Sequence, residues 1–160
     1  MTRDRQLIVA RRCTDGRALV LILAGLLLGS AQAATPAYQV TNFAIEEPLT
    51  STPGDAQRGQ QVLVARDLGN CLSCHAVPID AEFFGDVGPS LAGVGSRLSA
   101  GQLRLRVVDP KRLNPQTVMP AYFRSEGLNR VLPEYQGKTI LTAQQVEDLV
   151  AFLLTLKSSR

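Results

Sequence analysis

The clearest pattern in the chain lies near its C-terminus. Val146, Leu149, Val150, Leu153 and Leu156 recur at the i, i+3, i+4, i+7 spacing of a helix with one apolar face. Thr142 and Gln145 stand ahead of it at capping-box spacing. The pattern predicts a helix from Ala143 to about Lys157, with Lys157 near the negative end of the helix dipole. Asp55 is placed as an N-cap for a second helix, Ala56 to about Arg66, which sets Ala56, Gly59, Val62 and Leu63 near one face. A glycine inside a helix costs about 1 kcal/mol against alanine, so Gly59 is either simply tolerated or makes room for another helix. Ser99 caps a third helix, Ala100 to Val108, stopped by Pro110. Leu103 and Val107 form its short apolar stripe. Arg104 and Arg106 point away from that stripe and are expected in solvent, with a contact to a cofactor carboxylate or a partner as the alternative. No stretch alternates over strand length and no internal repeat is present. The expected class is all-α with long loops.

The first 33 residues carry a different pattern. Arg3, Arg5, Arg11, Arg12 and Arg17 precede an apolar run of eleven residues from Ala18 to Leu28, and Ala31-Gln32-Ala33 follows as a small-residue cleavage site. This is the three-part layout of a secretory signal peptide. The run is short of the roughly 18 residues that a spanning helix needs. Residues 1–33 are therefore expected to be removed on export. Residues 34–53 lack periodicity and contain Pro36, Pro48 and Pro53, which predicts an extended arm, either disordered or docked on a partner. The remaining domain is expected at 54–160.

The charge balance changes once the signal is set aside. The whole chain has a formal net charge of +3. Residues 34–160 hold twelve Lys+Arg and twelve Asp+Glu. A neutral mature chain lends no support to nucleic-acid binding or to an anionic membrane surface. Aromatic residues are only 5% and Trp is absent, so a small domain of this kind is short of large side chains for its core. A flat apolar cofactor would supply that centre.

Cysteine placement points to which cofactor. Cys13 lies in the signal, and the mature chain keeps Cys71 and Cys74 within Cys71-Leu72-Ser73-Cys74-His75. Two thiols three positions apart, with an imidazole next to the second, form the attachment signature of a c-type haem. The thiols take the two vinyl groups and His75 lies under the iron. Export leads to an oxidising compartment, where free thiols are a liability; thioether bonds would consume both. A structural zinc site would need four ligands. A thiol–disulfide oxidoreductase would place the motif where a strand enters a helix, and no strand is expected.

After signal removal one His and one Met remain, His75 and Met119. His75 is expected as the proximal iron ligand and Met119 as the distal one. A thioether is soft and neutral, so it favours the reduced metal and raises the potential. Pro120 biases Met119 toward an extended backbone within Asn114-Pro115-Gln116-Thr117-Val118-Met119-Pro120-Ala121-Tyr122. The alternative for Met119 is ordinary core packing. The Pro89 carbonyl in Gly88-Pro89-Ser90-Leu91 is a candidate acceptor for the His75 Nδ1–H, which would fix the tautomer.

Taken together, the helix, the Cys-x-x-Cys-His motif, Gly-Pro-x-Leu, Met-Pro and the final amphipathic helix resemble class I cytochromes c over residues 54–157. Finer motifs are similar to the SoxX family. They are Gly69-Asn70-Cys71-Leu72-Ser73-Cys74-His75, Val87-Gly88-Pro89-Ser90-Leu91, Arg104-Leu105-Arg106-Val107-Val108-Asp109-Pro110, the Met119 loop, and Leu141-Thr142-Ala143-Gln144-Gln145-Val146-Glu147-Asp148-Leu149-Val150. That resemblance implies one haem c per chain in a class I fold, with the final helix bringing Phe152 or its neighbours against Gly59. It implies a periplasmic heterodimer with a SoxA-type subunit that carries the substrate site. Such a complex couples thiosulfate to a cysteine of the carrier SoxYZ and passes electrons to a small cytochrome c. This chain would then be a non-catalytic relay, with no catalytic residue of its own. A free-standing electron shuttle and a ligand-binding or peroxidatic haem protein are the alternative functions.

Overall fold

The computed structural model describes residues 37–158. The expected signal at 1–33 lies outside them. Among the described residues the α-helices are α1 (Ala56–Val64), α2 (Val94–Arg97), α3 (Ala100–Val108) and α4 (Ala143–Thr155), joined by long loops with short 3-10 turns at Cys71–Ser73, Pro110–Arg112 and Pro133–Tyr135. There is no strand among them; Thr41 and Ala44 form an isolated bridge. The fold is all-α, with long loops between the helices.

The caps are local and explain the helix starts. The Asp55 side chain accepts from the Arg58 N–H at 2.8 Å. Ser99 with Gln102, and Thr142 with Gln145, form reciprocal capping boxes. The helix ends differ by a residue or two from the periodic pattern. Helix α1 stops at Val64 because the chain turns back, with the Gly69 and Asn70 N–H groups taking the Val62 and Ala65 carbonyls. Helix α4 stops at Thr155, whose hydroxyl donates to the Phe152 carbonyl at 2.7 Å. Lys157 reaches past the helix end to the Gly95 carbonyl at 2.6 Å.

Helices α1 and α4 cross at close quarters. A Cβ at Gly59 would strike the Asp148 carbonyl and lie 2.9 Å from the Phe152 Cβ. Gly59 is thus the point of contact. Leu63, Leu105, Leu141, Val108 and Val146 are fully buried around this crossing. Each such leucine contributes about 1.5–3 kcal/mol through its burial.

Two ion pairs tie the helices. Asp148 accepts from Arg58 Nε at 2.8 Å, from the Asp55 N–H at 2.8 Å and from Gln144 at 3.0 Å. Burial alone would raise the Asp148 pKa; these donors, led by Arg58, outweigh it and hold the carboxyl below its ordinary value. The second pair corrects an expectation. Arg104 is not in solvent but buried, 4% exposed. It binds Glu147 through Nε at 2.8 Å and Nη2 at 2.9 Å, and donates to the Ile45 carbonyl. Glu147 also accepts from the Leu49 N–H at 2.8 Å. Residues 37–53 therefore lie along α3 and α4 with Ile45 fully buried.

Arg104→Ala would leave Glu147 buried and unpaired. Its expected effect is a loss of about 3–5 kcal/mol, read as a lower denaturant midpoint with an unchanged slope. Asp148 has a depressed folded pKa, so its stabilisation is present above the ordinary carboxylate value of about 4. It is lost as pH falls through the folded value. Acid titration of Asp148→Asn should show a flatter stability curve below about pH 4 than the wild-type chain.

Candidate haem site

After α1 the chain makes a tight bend into the cysteine motif. Asn70 adopts the left-handed region (φ 48°, ψ 35°), which asparagine tolerates better than most residues. The 3-10 turn follows, and the Cys74 and His75 N–H groups donate to the Cys71 carbonyl at 3.1 and 2.9 Å. This winding gathers the two sulfurs and the imidazole into one wall. The next loop is stitched back onto that wall by Gly85 N–H to the Leu72 carbonyl and Gly88 N–H to the Cys74 carbonyl, both 2.7 Å.

That wall faces a cavity of about 590 Å³, well within the size of cofactor sites. Cys71, Cys74 and His75 line one side, Met119 and Tyr122 line it from the Pro110–Tyr122 segment, and Leu103, Val107, Leu149 and Leu153 come from α3 and α4. The structure thus brings together four of the residues singled out in the sequence. Pro89 lines the same cavity and its carbonyl lies 2.7 Å from His75 Nδ1. With the proton on Nδ1 this is a hydrogen bond, and Nε2 keeps its lone pair for a metal. The cavity walls are chiefly apolar side chains, which suits a porphyrin face.

Arg97 escaped the sequence reading, and Arg106 was expected in solvent with a cofactor carboxylate as the alternative. Arg97 and Arg106 line the cavity. Arg97 is held by the Ala92 and Ser90 carbonyls, and Arg106 by the Gln102 carbonyl at 2.8 Å. They can meet carboxylates of a group bound inside. Periodicity could show only that Arg106 leaves the apolar stripe of α3, not where it goes. A larger cavity of about 820 Å³, near Tyr38, Asp109 and Arg124, contains no cysteine or histidine and is not the candidate site.

The Cys71 thiol is not tuned for redox exchange. Burial, with a further contribution from Cys74, pushes the Cys71 thiol up to about 11. A reactive thiol needs the opposite shift. The two cysteines are not joined as a disulfide. Among the described residues no group of three or more His, Cys, Asp or Glu is placed to hold a metal ion between them. Burial also raises the Tyr122 phenol well above its ordinary value, which keeps it a proton donor.

A family model for cytochrome c matches residues 56–157. The chain belongs to the cytochrome c family, and membership implies covalently bound haem c. A crystal structure of SoxXA from P. pantotrophus is similar, with 38% sequence identity and a TM-score of 0.70, covering 76% of this chain and 95% of that one. This likeness supports the SoxX resemblance seen in the finer motifs. No curated protein sequence matches the chain significantly. No helix among the described residues is long and apolar enough to cross a membrane.

Gly88 packs flat against the imidazole, and a Cβ there would lie 2.6 Å from His75 Nδ1. Gly88→Ala should therefore turn the ring out of its Pro89 hydrogen bond. The expected outcome is a several-fold lower yield of haem-loaded protein, measured as the ratio of Soret to protein absorbance.

Proposed function

We propose that this chain is the electron-relaying cytochrome subunit of a SoxAX complex in the periplasm, after removal of residues 1–33. The observation that carries this reading is the single cavity that collects Cys71, Cys74, His75 and Met119, in a chain 38% identical to part of a SoxXA structure. Cys71 and Cys74 hold one haem c through thioether bonds. Haem supplies reversible one-electron chemistry when bound there. His75 offers Nε2 as the proximal ligand while Pro89 holds its other nitrogen, which raises its basicity. Met119 lines the same cavity and would offer a soft thioether to the iron, which would favour the reduced state. Leu103, Val107, Leu149 and Leu153 exclude water from the site, and Arg97 and Arg106 hold carboxylates at its edge.

The partner is a SoxA-type cytochrome in a heterodimer. It carries the site at which thiosulfate is oxidatively coupled to a cysteine of SoxYZ. Electrons released there pass to this chain and on to a small cytochrome c. Both mature sulfhydryls of this chain are consumed by attachment, so none is left to carry substrate.

The test is purification of the chain from its native periplasm, followed by intact mass. The expected result is a chain starting at Ala34, heavier by one haem, recovered with a second haem protein. Recovery as a lone monomer would favour a free shuttle instead. In the same preparation Met119→Ala should lower the reduction potential, within the roughly 0.8 V span that axial ligation commands. An unchanged potential and spectrum would remove Met119 from the ligand set.

A further inference from the structure

The cavity has two walls made by separate stretches of chain. One is the motif wall, residues 65–91. The other is the distal segment, residues 109–123, which contains Met119. The hydrogen bonds of the Met119 loop are local: Thr117 N–H to the Asn114 carbonyl at 3.1 Å, Met119 N–H to Thr117 Oγ1 at 3.2 Å, and Lys111 to the Thr117 carbonyl at 2.7 Å. None of these reaches the opposite wall.

Among the described residues one hydrogen bond joins the two walls. The Tyr122 hydroxyl donates to the Gly69 carbonyl at 2.7 Å, and the bond is buried. Both ends of it are fixed. The Tyr122 N–H donates to the Val107 carbonyl at 3.1 Å, and its carbonyl accepts from the Leu141 N–H at 2.9 Å. The Gly69 N–H donates to the Val62 carbonyl at 3.1 Å. Tyr122 thus stands on α3 and reaches across to the residue two positions before Cys71. It follows Met119 by three residues, so the span between this clasp and the thioether is short.

We propose that Tyr122 is a positioning residue: its hydroxyl clasps the distal segment to the motif wall and so holds the Met119 thioether in place opposite His75. The proposal rests on the reading of Met119 as the distal ligand. When the Met119 loop swings out, the clasp is released, and the Gly69 carbonyl loses its partner. Without the clasp the loop opens more often, because one buried hydrogen bond no longer favours the closed form. A small ligand that enters only when the thioether leaves reports that opening directly. Its apparent affinity scales with the open fraction.

The test uses imidazole binding to the oxidised, haem-loaded protein, followed by absorbance. Four forms are compared: wild type, Tyr122→Phe, Met119→Ala, and both changes together. Tyr122→Phe keeps the ring that packs in the cavity and removes only the hydroxyl. It should bind imidazole about tenfold more tightly than wild type, the scale of one buried hydrogen bond. In the Met119→Ala background no thioether competes, so adding Tyr122→Phe should change the affinity by less than twofold. A purely structural role would move both backgrounds alike and would overturn the proposal, as would equal affinity in wild type and Tyr122→Phe. If wild type already binds as tightly as Met119→Ala, the ligand reading itself fails, and the two failures are told apart. Amide hydrogen exchange on the wild-type protein supplies a second measurement should the tyrosine variant not load haem. Segments 65–71 and 117–122 are expected to open together; independent opening would overturn the clasp.

Discussion

The close crossing of α1 and α4 is the contact on which the remaining structure depends. It is possible because Gly59 has no side chain where the Asp148 carbonyl and the Phe152 Cβ approach. Once the axes come that close, Asp148 falls within reach of Arg58 and the Asp55 N–H. The cap of α1 and the body of α4 then become one hydrogen-bonded unit. The crossing also turns Leu149 and Leu153 of α4 toward the cavity. The close helix packing is thus a consequence of one missing methyl group.

A second constraint fixes α3. Its arginine at position 104 is taken out of water and satisfied by Glu147 and by the Ile45 carbonyl. Exchanging such a pair for apolar residues need not weaken a fold, but leaving half of it does. The pair therefore specifies more than it stabilises. It aligns α3 with α4 and brings the chain around Ile45 over both. Residues that carry no periodicity, and were expected as an arm, become part of the core through three backbone groups: the Ile45 N–H and carbonyl, and the Leu49 N–H.

These cases show what was legible in the sequence and what was not. Helix positions were legible because their signals are local. Asp55, Ser99 and Thr142 act on N–H groups three residues away, and the α4 stripe repeats within one element. The cysteine motif was legible for the same reason, since its chemistry needs five consecutive residues. Met119 was singled out by counting, and its place on the same cavity as the cysteine motif follows from the fold. Arg104 was not legible. Its partner is 43 residues distant, and nothing in α3 alone separates a solvated arginine from one facing a carboxylate. Arg97 and Arg106 share that difficulty, because the cavity they line exists only after four segments meet. Tyr122 was visible as part of a motif but not as a bridge, since Gly69 lies 53 residues away.

The polar chemistry of the cavity also bounds what the chain can do. A group that transfers sulfur or protons needs a nucleophile or base poised near neutrality. Here the burial that surrounds Cys71 raises its pKa, away from the thiolate. The imidazole of His75 has one nitrogen engaged by the Pro89 carbonyl, which fixes the ring and leaves the other nitrogen free of that contact. Tyr122 is kept protonated by burial, so it donates to Gly69 and takes up no proton. Burial thus keeps one thiol and one phenol of the cavity wall in their neutral forms. Such a site suits a change of one electron with little rearrangement of the surrounding dipoles. The wall is built to hold a group in place, with its own thiol and phenol kept neutral.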